Sequence, residues 1–132
     1  MKTFEHLKVL SRLYSQKKNE VSSLKVPRMN FLVIDGTGSP NNNPAYSEAV
    51  GALSALAYHL KFAARKSLEI DYKVMPLEGL WWAQDMRLFT LDNRDNWLWR
   101  MMIMQPDFIS AEMAGQAVDE VRKKKNPPRL EE

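Results

Sequence analysis

The chain has 132 residues, a length that fits one domain with a core of its own. It is 45% hydrophobic and 27% charged, as globular domains are, and it has no cysteine, which excludes disulfide scaffolds, thiolate nucleophiles and cysteine-ligated zinc or iron–sulfur centres. The net charge of +3 is concentrated in Lys17-Lys18 and Arg122-Lys123-Lys124-Lys125, too little to make nucleic acid the expected partner.

Apolar positions Phe4, Leu7, Leu10 and Leu13 recur at three-residue spacing and predict a short helix over 3–14, with Thr3 as its N-cap. Residues 15–23 are polar and read as a loop. Leu24–Asp35 reads as a strand, densest in its last third, with Pro27 at its start or on an edge because proline has no ladder N–H. Gly36–Pro44 is rich in turn residues. It lacks the third glycine of a dinucleotide fingerprint and the Gly-Lys-Ser/Thr of a phosphate loop, and reads as a connection ending in an asparagine N-cap followed by proline.

Residues 44–66 form the longest predicted helix. Tyr46, Val50, Leu53, Ala57, Leu60 and Ala64 share one face, and Ala49, Gly51, Ala52 and Ala55 permit close approach to a sheet. Asp71–Ala83 and Trp97–Gln105 read as second and third strands, joined by a polar loop with turn chemistry at Asp92–Asn96. Ser110 caps a final helix over 110–125 that places Met113, Ala117 and Val121 on one face, and Asn126-Pro127-Pro128 stops it. The expected class is α+β. One strand–helix–strand–strand module over 24–105, with an antiparallel-rich sheet, is flanked by an N-terminal helix and a linking C-terminal helix over 110–125, all in a single domain.

No apolar run approaches the roughly 18 residues of a membrane helix, and the N-terminus lacks the apolar core of a signal peptide, so cytoplasmic residence is the default. His6 and His59 fall in helical segments and read as solvated; no nucleophilic triad, calcium loop or bound cofactor is indicated.

The unusual residues are aromatic. Strand alternation puts Trp81 and Trp82 on opposite faces and Trp97 with Trp99 on one. A three-stranded sheet with helices on one side leaves its other face bare, and a bare face carrying tryptophan, tyrosine and methionine is a binding surface or an interface. Parity groups Glu78 with Tyr72, Val74, Leu80 and Trp82. A carboxylate among rings attracts a cationic ligand or acts as a general acid or base. The competing reading makes Glu78 a solvated edge residue beside a bulge at Gly79. Met101, Met102 and Met104 add adaptable apolar surface on the third strand.

Four segments resemble the GyrI-like small-molecule-binding domain family, in its stand-alone branch without a DNA-binding head. They are Val26–Gly36, Pro44–Val50, Tyr72–Trp82 (with its Glu-Gly-Leu-Trp-Trp run) and Met101–Phe108 (with Met-Gln-Pro-Asp-Phe). The resemblance covers residues 5–130. It implies two strand–helix–strand–strand modules related by a pseudo-two-fold axis, with ligand in the cleft between them. This chain then corresponds to the first module, and no residue after Lys125 supplies the buried glutamate of the second.

The resemblance also implies multidrug sensing, gyrase modulation, or hydrolysis of cyclopropane-containing DNA-alkylating compounds. It maps pocket tyrosine to Tyr46 and pocket aromatics to Tyr72 and Trp82. The expected function is binding of planar apolar or cationic aromatic small molecules by Tyr46, Tyr72, Glu78, Trp82, Trp99 and Met101. The cleft is rebuilt by homodimerisation or by a partner second module. The alternatives are a hydrolase with Glu78 as its catalytic carboxylate and a half-domain without independent activity.

Overall fold

A computed structural model describes residues 2–4, 28–41, 43–88 and 97–125. It bears out the α+β class. The elements are β1 (Lys2–Phe4), β2 (Asn30–Thr37), α1 (Pro44–Leu68), β3 (Ile70–Tyr72), β4 (Leu77–Ala83), β5 (Trp97–Gln105) and α2 (Ala111–Lys125). A short 3-10 turn spans Met86–Leu88. The main sheet is antiparallel in the order β2-β5-β4, and β1 pairs with β3 in a second, parallel two-stranded sheet.

Local chemistry sets the long helix. The Asn43 side chain accepts from Ala45 N–H at 3.0 Å and Pro44 takes the first helical position, which satisfies one orphan donor and removes another. The same Asn43 amide donates to Thr37 C=O at 3.2 Å, so the cap is tied to the end of β2. Ala49, Ala52, Leu53, Leu56, Ala57, Leu60 and Ala64 form the buried face of α1. Gly51, expected to help the helix approach the sheet, lies on the exposed side with open space around it; the buried alanines do that work. Arg65 and Lys66 occupy the last turn, where cations complement the helix dipole. α2 starts as expected, with Met113 N–H donating to Ser110 Oγ at 3.1 Å, and buries Ala117 and Val121 next to α1.

Three expectations change. Thr3 and Phe4, read as the start of a helix, lie in β1; the rest of that segment lies outside the described residues, as do His6, the segment 15–23, the early part of the first predicted strand with Pro27, and Asp92–Asn96. The single strand predicted over 71–83 is two strands in two sheets, parted at residues 73–76, where Pro76 has no N–H to continue a ladder. Finally, β4 pairs with β5 without interruption from Leu77 opposite Ile103 to Ala83 opposite Trp97, so there is no bulge at Gly79.

Candidate functional site

The registers of β2, β5 and β4 assign every side chain of the main sheet to a face. Paired residues share a face, and faces alternate along each strand. One face carries Ile34, Trp99, Met101 and Ile103, which pack with the buried face of α1 into the hydrophobic core. The opposite face is a grid of three rows across the three strands. Its rows are Val33–Met102–Glu78, Asp35–Arg100–Leu80 and Thr37–Leu98–Trp82. Leu80 is 54% exposed and Val33 43%, while Glu78, Trp82, Leu98 and Met102 are half-buried. Beyond the Val33 row the face closes, with Met104 buried and Phe31 packed against the core.

An ion pair occupies the middle of this outer face. Arg100 donates from Nε to Asp35 Oδ1 at 2.6 Å and from Nη2 to Asp35 Oδ2 at 2.9 Å, a two-pronged contact across the β2–β5 ladder. The side chains are 45% and 47% exposed. The hydrogen bond to Asp35, and then its charge, push the guanidinium pKa further up from its ordinary value.

The sequence-predicted residues divide between locations. Glu78 and Trp82 lie on the outer face, as parity predicts. Trp99 and Met101 lie on the helix side at 0% and 1% exposure, so the structure makes them core. Trp99 meets the Tyr46 ring edge to face at 5.4 Å, and Tyr46 also lies 6.5 Å from Trp81, which shares the helix side of the sheet. Tyr46 thus stands at the margin of the core beside a partly exposed tryptophan. Tyr72 does not share the face of Glu78, because its strand ends before β4 begins. It is buried against Phe108 at 5.5 Å, and burial pushes its phenol up to about 12.

Residue composition gave Asp35 and Arg100 no distinction, and neither entered the predicted site. A signal was present: Arg100 interrupts an otherwise apolar strand from Trp97 to Met104, and its parity places it with Leu98 and Met102.

Two other features are built for other purposes. Lys61 on α1 donates to Asp71 at 2.9 Å and to the Tyr72 carbonyl, and its hydrogen bond holds the Asp71 carboxyl below the usual range; this pins β3 to the helix. A concavity of about 750 Å³ is an open groove between α1 and α2. There His59 Nε2 meets Glu120 Oε2 at 2.6 Å, so His59 is a helix-to-helix link rather than the solvated residue expected. Among the described residues no cluster of three potential ligands could hold a metal ion, and no helix is long and apolar enough to cross a membrane.

No protein-family model and no curated protein matches the chain. Solved structures do. An uncharacterized conserved protein from Listeria innocua superposes with a TM-score of 0.81 at 37% identity, covering 92% of this chain and 60% of its own. A hydrolase from Listeria innocua gives 0.79 at 37% identity, covering 95% and 61%. Another structure of a hydrolase from that organism gives 0.75 at 35% identity, covering 92% and 61%. The chain therefore spans about three fifths of the length of these neighbours.

Proposed function

We propose that the chain binds planar aromatic small molecules on the outer face of its sheet, as a GyrI-like module whose second wall is a second copy. The observation that carries this reading is the outer face itself. Leu80 and Val33 are exposed, and Trp82, Leu98 and Met102 are half-buried beside them. An apolar surface holding an indole is suited to stacking against a flat ring, and Glu78 at its border adds attraction for a cationic one. The resemblance of Val26–Gly36, Pro44–Val50, Tyr72–Trp82 and Met101–Phe108 to GyrI-like domains supports the same ligand class.

Titration with a planar dye such as proflavine, followed by tryptophan emission, tests the reading. Trp82→Ala should weaken binding about tenfold, the scale of one lost aromatic contact. Emission that stays constant up to high micromolar dye overturns it.

The hydrolase names of two structural neighbours favour a second reading, an enzyme that hydrolyses its ligand. The resemblance to GyrI-like domains, not those names, suggests its substrate: a strained cyclopropane conjugated to a carbonyl. Water attacks a ring carbon and the adjacent C–C bond breaks. The released pair moves through the conjugated system to the carbonyl oxygen. Glu78 takes the proton from water, and the new oxyanion is then protonated. Glu78→Gln should abolish turnover with binding retained; unchanged turnover removes Glu78 from the step.

A further inference from the structure

We infer that Arg100, held by Asp35, is a hydrogen-bond donor to the ligand, and that it selects flat ligands carrying a neutral acceptor such as a ring carbonyl. This inference rests on the proposed binding face and specifies its chemistry. A guanidinium has five N–H donors in a fixed plane. Two of them are spent on Asp35, one from Nε and one from Nη2. The other three are not engaged by that carboxylate, and the side chain is 45% exposed.

Position makes these donors relevant. Arg100 occupies the central strand and the central row of the grid, directly opposite Leu80. Glu78 and Trp82 are its diagonal neighbours on β4, at about 7–8 Å between backbones, within reach of long side chains. A flat molecule stacked over Trp82 and Leu80 therefore lies beside the guanidinium. The surrounding Val33, Leu98 and Met102 are apolar and lower the competition from water.

Charge decides the kind of acceptor. Asp35 already neutralises Arg100, so the centre of the face has donors to offer but little net positive charge. A carboxylate or sulfonate ligand would meet Asp35 next to every donor it approached. A cation is drawn to Glu78 at the border, but it offers the guanidinium no acceptor and gains no hydrogen bond there. A carbonyl oxygen accepts from the N–H groups that Asp35 leaves over and incurs no repulsion. In the hydrolytic reading the same donors face the carbonyl oxygen that gains negative charge as the ring opens.

The test compares two probes with one carbon skeleton, 9-fluorenone and fluorene, by equilibrium dialysis against the full chain. Fluorenone should bind wild-type protein about five- to tenfold more tightly, the scale of one hydrogen bond from a charged donor on a partly wet surface. In Arg100→Met that ratio should fall to about one. Near-ultraviolet circular dichroism checks that the variant keeps its tertiary packing; should it not, the wild-type ratio and an Asp35→Leu/Arg100→Leu pair, which removes donors and charge together, give the same reading. Equal affinities in wild type, or a ratio that survives loss of the guanidinium, overturn the inference and leave the binding face standing. Absence of binding by both probes overturns the binding face and the inference together.

Discussion

Gly36 stands where the Trp99 ring lies against the backbone. A β-carbon at that position would come within 2.2 Å of Cη2 and Cζ2 of the indole, which is fully buried and cannot swing away. Gly36→Ala should therefore destabilise the protein by about 2–3 kcal/mol, as overpacking of a rigid core does. Urea denaturation would show a lower midpoint with unchanged slope. Adding Trp99→Leu to Gly36→Ala should restore part of the loss, because the clash requires the ring; strictly additive effects would contradict this account. The sequence shows Gly36 opening a run of turn residues, and it is read there as part of a connection. Its place in β2 follows from pairing with Trp99, a residue 63 positions later in the chain, which no local window contains. The burial of Trp99 and Met101 was hidden for the same reason. Parity groups them correctly, but the covered face depends on where α1 lands. The grouping of Glu78 with Leu80 and Trp82 needed only parity within one strand, and it stands.

At the scale of elements, α1 was legible at both its start and its buried stripe, since Asn43, Pro44 and the apolar spacing are local signals. Its other end contains a residue under strain. Glu69 adopts the left-handed conformation at φ 56°, with its N–H donating to Ala64 C=O. An L-residue with a β-carbon is disfavoured there by about 1–2 kcal/mol, and glycine is not. Glu69→Gly should stabilise the fold by about 1 kcal/mol, net of the extra freedom glycine has in the unfolded chain. A thermal midpoint higher by about 3–5 °C would confirm it, and a lower midpoint would show that the Glu69 side chain contributes more than its conformation costs. The division of the predicted second strand at residues 73–76 was less accessible. Pro76 is a visible break signal, but the reason Ile70–Tyr72 leaves the main sheet is its parallel pairing with Lys2–Phe4. That partner is three residues long and distant in sequence, so neither periodicity nor turn chemistry marks it.

At the scale of the molecule, α1 covers one side of the three-stranded sheet with α2 packed against α1, and the other side of the sheet presents an aromatic and aliphatic grid around one ion pair. A ligand resting on such a face has one wall. The proposed function supplies the other by a two-fold axis between identical copies, which places the same patch on itself. Light scattering on a sizing column should then give a mass near twice 15.3 kDa at about a hundred micromolar. Leu80→Lys is the decisive variant. Leu80 is 54% exposed in the single chain, so a lysine there leaves the core untouched and should shift the thermal midpoint little. In the dimer the lysine would stand next to Arg100 on the face turned to the other copy, and its buried charge would oppose the approach of the two walls. The variant should run at 15.3 kDa and lose dye binding at the same time, because both need the same face. A Leu80→Lys dimer with wild-type mass would place the contact elsewhere on the chain. A monomeric wild type that still binds proflavine would show that one wall is enough.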